Sequence, residues 1–99
     1  MAIIYHITNL DDWTAAKASG SYSAPSLKEE GFIHCSEESQ VEGVLLRFFK
    51  GKENLVKLTL DTDRLTSPLK YDLAPSINQE FPHIYGPLNI DAVIKEEGL

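Results

Sequence analysis

The 99-residue chain has a single cysteine, Cys35, and only two arginines, Arg47 and Arg64. One cysteine excludes an intrachain disulfide, and it leaves a structural zinc site short of soft ligands. Positive charge is scarce as well: nine Lys and Arg stand against fifteen Asp and Glu, a formal net charge of -6. That balance argues against a broad basic footprint for nucleic acid. It is compatible with a single phosphate pocket, because a pocket depends on local charge. No segment approaches the roughly 20 apolar residues that cross a bilayer. Met1 to Ile7 lacks the basic start and long apolar run of a secretory leader, which predicts a soluble cytoplasmic protein. HExxH, GxGxxG and GxxxxGK[ST] are all missing, and with them the motif evidence for zinc protease, dinucleotide-fold or P-loop chemistry.

The remaining composition suits a small folded domain, with 42% hydrophobic and 24% charged residues. Ala2 to Ile7 is rich in β-branched and aromatic residues and predicts a first strand. Thr8 or Asn9 can cap a helix carrying Asp11 and Asp12 in its first turn, with Trp13 anchored on the core and an end near Gly20. Ser26 to Glu30 predicts a turn or short helix, with Ser26 as its cap and Gly31 after it. Phe32 to Cys35 predicts a short strand. Glu37 and Glu38 open a second helix, along which Val41, Val44, Leu45 and Phe48 form an apolar stripe. Gly43 in that helix marks either a cost or a close packing contact. Asn54 to Leu60 alternates as a half-buried strand, and Leu69 to Leu73 alternates again. Ala74 to Pro82 reads as a loop, His83 to Gly86 as a short strand, and Asn89 to Lys95 as a last strand with Ile90, Ala92 and Ile94 on one face. With no repeat or linker, residues 1–99 are expected to form one α+β domain with small mixed or antiparallel sheets and two main helices.

The three histidines, His6, His34 and His83, all fall near strand ends. Side chains there can reach a shared cleft and serve a ribose hydroxyl, a phosphate or a leaving proton. Each can equally be a hydrogen-bonded core or surface residue. In GFIHCS, Gly31 to Ser36, alternation sends His34 and Ser36 to one face and Cys35 to the other. His34 and Cys35 are therefore poor catalytic partners, and Cys35 reads as a small core hydrophobe. Ser36 can cap the following helix or offer its hydroxyl to a ligand. The amides of that helix start can hold an anion beside His34. Arg47, next to the apolar stripe, either reaches a phosphate or extends to solvent. In FPHIYG, Phe81 to Gly86, His83 and Tyr85 share a face, and Tyr85 can stack on a flat ring. Tyr22 and Tyr71 have no such neighbourhood. Glu29, Glu30 and Glu80 are the carboxylates nearest these segments, without a paired pattern.

IYHIT, Trp13 with Ala16 and Gly20, SLKEEGFIHCS and FPHIYGPLNIDAV together span nearly the whole chain. They resemble the domain-of-unknown-function 952 family, which carries no established activity. The resemblance implies a compact relative of the ADP-ribosyltransferase and RNA 2'-phosphotransferase fold, with NAD or an ADP-ribose species bound between two small sheets. On that likeness His6 would hold ribose hydroxyls, and His34 with Ser36 would line the nicotinamide side. Arg47 would neutralise phosphate, and His83 and Tyr85 would line the same cleft. No position matches the glutamate of those transferases, for which Glu29 and Glu80 are the candidates. The expected ligand is thus a small nucleotide, NAD foremost, with ADP-ribosyl transfer as the reaction. A module that binds without turnover is the alternative. A third reading, a structural partner without a small-molecule site, predicts a large exposed apolar patch.

Overall fold

The computed structural model describes residues 2–99; Met1, where the segment read for a leader begins, lies outside them. Strand β1 (Ile3–Asn9) leads directly into helix α1 (Leu10–Ser19). The Asn9 side chain accepts from the Asp12 amide at 2.8 Å, which satisfies one of the free amides at the helix start. After β2 (Ser21–Tyr22), helix α2 (Pro25–Glu30) begins with a proline whose missing N–H costs nothing in a first turn. Ser26 does not cap it: Ala24 holds that position, and the Ser26 hydroxyl donates to the Phe32 carbonyl at 2.8 Å. Gly31, at φ 88°, turns the chain into β3 (Ile33–His34).

Helix α3 (Glu38–Phe48) is followed by β4 (Leu55–Asp61), a 3-10 turn (Thr62–Arg64), β5 (Leu69–Ala74) and β6 (Gln79–Ile84). The chain ends with β7 (Leu88–Asn89), a second 3-10 turn (Ile90–Ala92) and β8 (Val93–Gly98). Three antiparallel sheets result, with strand orders β1-β4-β8, β2-β7 and β3-β6-β5. The coarse expectation of an α+β fold with small antiparallel sheets holds, with the six-residue α2 as a third helix.

Several local expectations do not hold. Strand β4 is buried on both faces rather than one: Leu55 and Thr59 on one face are buried, as are Val56, Leu58 and Leu60 on the other. Gln79 to Pro82, read as loop, forms the first part of β6. Pro82 is tolerated in that middle strand because β3 stops at His34. The Pro82 carbonyl faces the β3 side, where it accepts from the Cys35 amide at 3.0 Å, so its missing N–H also faces that side, beyond the last β3 pair. The last strand starts at Val93, since Ile90–Ala92 is a 3-10 turn. This buries Ala92 and leaves Ile94 45% exposed.

The core joins Ile4, Leu58 and Leu60 of the first sheet to Ile33 and Ile84 of the third, with Trp13, Tyr22 and Leu88 between them. Between β6 and β7 the chain bends at Gly86, at φ 152°, where an added Cβ would lie 2.5 Å from the Ser67 hydroxyl. Trp13 is 1% exposed, and its indole N–H donates to Glu96 of β8 at 2.7 Å, clamping α1 to the far edge of its sheet. We predict that Trp13→Ala costs about 3–5 kcal/mol in urea unfolding, the range for an emptied aromatic core site. Trp13→Phe, which keeps a ring and drops the N–H, should cost less. A loss below about 1 kcal/mol for the alanine variant would show that α1 is not anchored through this ring.

Candidate functional site

A backbone bridge between Tyr5 and Ser36 links the first and third sheets. The Tyr5 amide donates to the Ser36 carbonyl at 2.8 Å, and the Ser36 amide donates back to Tyr5 at 2.7 Å. Away from that junction the sheets part, and α3 lies along the opening. Its first turn is pinned to the third sheet: the Tyr71 hydroxyl donates to Glu37 at 2.8 Å, and the Gln40 amide group donates to the Glu80 carbonyl at 2.8 Å. The space enclosed is a cleft of about 600 Å³, within the range of small-molecule sites. Five of the residues singled out from sequence line it, namely His6, His34, Ser36, Arg47 and His83.

His6 forms part of the floor and is 6% exposed. Its Nδ1 lies 2.5 Å from the His34 carbonyl oxygen, which can only accept, so Nδ1 carries the proton. Burial lowers the pKa of His6 from 6.5 to about 4, so near neutral pH the ring is uncharged and Nε2 is an acceptor. Nε2 lies 2.8 Å from the Tyr22 hydroxyl, which therefore donates to it. The Thr8 hydroxyl, 3.0 Å from the Tyr22 oxygen, then supplies its own proton to that oxygen. Both ring nitrogens of His6 have protein partners, so a ribose hydroxyl that bonds to His6 must displace Tyr22.

Ser36 is not the helix cap. Helix α3 begins one residue later than the sequence suggests, and Glu37 occupies the cap position, with its amide donating to the Gln40 side chain at 2.9 Å. The Ser36 hydroxyl makes no protein hydrogen bond, and no fully buried side-chain polar atom among the described residues lacks one. That hydroxyl therefore opens on the cleft. Cys35 turns the other way into the core, where burial pushes its thiol well above the usual range and leaves it un-ionised.

His34 and His83 sit opposite each other in the β3–β6 register, with ring centroids 5.1 Å apart. Each has a carboxylate partner. His34 Nε2 donates to Glu30 at 2.7 Å in a solvated pair, the two side chains being 53% and 49% exposed. His83 Nδ1 donates to Asp72 of β5 at 2.7 Å, and the Phe32 ring stacks on the imidazole at 4.0 Å and 15°. The Tyr85 hydroxyl donates to the same Asp72 oxygen. These two hydrogen bonds, from Tyr85 first and then His83, hold the Asp72 carboxyl below its ordinary range. Tyr85 is thus placed behind His83, with Lys70 over its ring at 5.3 Å, and is not among the residues lining the cleft.

Arg47 is exposed in the last turn of α3 and has no carboxylate partner. Its guanidinium folds back over Gly43, where an added Cβ would meet Nη1 at 3.2 Å. The glycine is therefore a packing contact. The other arginine, Arg64, lies 3.6 Å from Asp61. Neither Glu29 nor Glu80 lines the cleft; its carboxylates are Asp12 and Glu53. Among the described residues, no group of three or more His, Cys, Asp or Glu could hold a metal ion. No helix among them is long and apolar enough to cross a membrane.

Sequence reasoning missed Tyr22, Thr8, Asp72 and Phe32. Strand pairing brings Asp72 to His83 and tertiary packing brings Tyr22 to His6, whereas Thr8 and Phe32 lie two residues from His6 and His34. The nearest available signal was the alternation of Lys70, Asp72 and Ala74, which places Asp72 on the face opposite Leu69, Tyr71 and Leu73. The His6 network yields a prediction. Its folded pKa of about 4 lies below the unfolded value near 6.5, so the unfolded chain binds more protons between these limits and stability falls as pH drops. From pH 7 to 5 this one group should remove about 2 kcal/mol, read by urea unfolding. His6→Gln should flatten that slope. An unchanged slope would place the titration elsewhere.

A family model described as "Protein of unknown function (DUF952)" matches residues 7–96. The crystal structure of protein CC0527 from Caulobacter crescentus is similar at 33% identity and a TM-score of 0.88, covering 97% of this chain and 84% of that one. The solution NMR structure of CC0527 gives 34% identity and a TM-score of 0.84, covering 100% of this chain and 85% of that one. No curated protein matches the chain. A family match over nearly the full length, and a fold shared with a relative a third identical, make this chain a member of the DUF952 family.

Proposed function

We propose that the chain binds a small nucleotide, NAD or ADP-ribose, in the cleft between the first and third sheets and transfers the ADP-ribosyl group. One observation carries this reading: His34, Ser36, Arg47 and His83 come from three separate segments and converge on one cleft of about 600 Å³. The wall chemistry supports it. Phe48, Phe49 and Phe81 offer flat apolar surface to a base, and Arg47 offers an uncommitted guanidinium to a diphosphate. The free Ser36 hydroxyl and the unpaired Nδ1 of His34 suit ribose or amide groups. His6, with both nitrogens engaged, fits the role of a positioning residue that fixes Tyr22 and the His34 carbonyl. The likeness of YHIT and FIHCS to transferase motifs adds the reaction, cleavage of the bond between nicotinamide and ribose.

A module that binds the nucleotide and leaves it intact is the second reading. The same commitment of His6 favours it, since no ring nitrogen there is free for a ligand without rearrangement.

Titrating the labelled protein with NAD and then ADP-ribose should move the amides of Cys35, Ser36 and Arg47 and the ring signals of His34 and His83. Arg47→Ala should weaken binding by about 10- to 100-fold, as expected for a lost charge-assisted hydrogen bond. Free nicotinamide in the same tube separates transferase from binder. Absence of any shift at millimolar ligand, or parent-like binding by both His34→Ala and Arg47→Ala, would remove the nucleotide from this cleft.

A further inference from the structure

The three histidines of the cleft are not equivalent. His6 has no free nitrogen, and His34 shares its proton with a carboxylate in solvent. His83 combines three features that a general base requires. Asp72 accepts from Nδ1 at 2.7 Å, so the proton is held on that nitrogen and the lone pair lies on Nε2. Asp72 is itself fixed by the Tyr85 hydroxyl, and Phe32 stacked at 4.0 Å keeps the imidazole from rotating. Nε2 makes no protein hydrogen bond, and no fully buried side-chain polar atom among the described residues lacks a partner. Since His83 lines the cleft, that lone pair opens on it.

We propose that His83, oriented by Asp72, is the general base that activates the acceptor, and that the acceptor is a neutral hydroxyl, either water or an alcohol. This rests on the nucleotide reading above. A phosphate acceptor arrives already anionic and needs no base, and a guanidinium holds its proton too tightly for an imidazole to take. A hydroxyl needs the proton removed as it attacks. In the step, the acceptor oxygen bonds to the anomeric carbon of the nicotinamide ribose while its proton passes to His83 Nε2. The bond from that carbon to the pyridinium nitrogen breaks, its electron pair stays with nitrogen, and nicotinamide leaves neutral. No acid is needed at the leaving group. His83 then returns its proton to solvent. Asp72 is a positioning residue that fixes the tautomer.

The test measures nicotinamide release from NAD by the parent, His83→Gln and Asp72→Asn proteins in water and in buffered methanol, with products identified by mass spectrometry. The parent should form ADP-ribose in water and its methyl glycoside in methanol. His83→Gln should lose about 10²- to 10⁴-fold in release while NAD still shifts the Ser36 amide. In Asp72→Asn, nitrogen-15 spectra of the His83 ring should show the proton no longer confined to Nδ1, together with a smaller loss of rate. This second variant decides the matter if the first does not fold. Release by His83→Gln within about threefold of the parent would overturn the base and leave the nucleotide reading standing. If the parent releases no nicotinamide, the base assignment falls, and the NAD shifts alone then decide whether the cleft binds nucleotide.

Discussion

Two backbone hydrogen bonds between Tyr5 and Ser36, and the bond from His6 to the His34 carbonyl beside them, tie the first and third sheets together at one corner of the cleft. Strand β3 spends two residues on β6, and Cys35 bonds to Pro82 at 3.0 Å before Ser36 crosses to Tyr5. Each group on this short path has a consequence. The His34 carbonyl is left to accept from His6, Cys35 seals the core side, and the Ser36 hydroxyl faces the cleft. Because Ser36 is committed through its backbone, its side chain is free. The helix start is satisfied one residue later by Glu37 and Gln40.

The polar groups of the cleft fall into two sets by their hydrogen bonding. The floor, His6 with Tyr22 and Thr8, is closed on itself, and burial disfavours any charge in it: His6 is pushed down to about 4 and Tyr22 up to about 12. Such a network is suited to holding geometry, because each proton has one place to be. The wall, His34 and His83, carries carboxylate partners and unpaired ring nitrogens. The floor tells where the wall stands, since the His6 proton is given to the backbone of His34 itself.

What the sequence made legible is local. The Asn9 cap, the acidic first turn, Trp13 on the core and the stop at Gly20 all follow from side chains within one or two turns of each other, and α1 forms as these dictate. The opposite facing of Cys35 and Ser36 follows from strand alternation. The illegible parts are non-local. Gln79 to Pro82 is polar and contains a proline, and only pairing with β5 on one side and the shortness of β3 on the other make it a strand. His6 meets Tyr22 across 16 positions, and His83 meets Asp72 across 11 through a hairpin that the loop reading had dissolved. His34 and His83 could be found by type and position near strand ends, whereas His6, expected there too, is the central residue of β1 because the strand continues to Asn9. Their partners, which decide what each can do, could not.

Overall charge and local charge pull in opposite directions at the cleft. A net charge of -6 repels an anionic ligand at long range. The cleft is lined by two cations, Arg47 and Lys52, and two carboxylates, Asp12 and Glu53, with Phe48, Phe49 and Phe81 among its apolar residues. A ligand held here must draw its attraction from apolar contact and from short-range bonds to single groups. Phe48, 64% exposed, and Leu46, 66% exposed, stand on α3 beside Arg47. Gly43 lowers the intrinsic helix preference of α3 and in exchange lets the guanidinium lie close along the helix. Arg47, which has no carboxylate partner among the described residues, is thereby kept next to the aromatic surface.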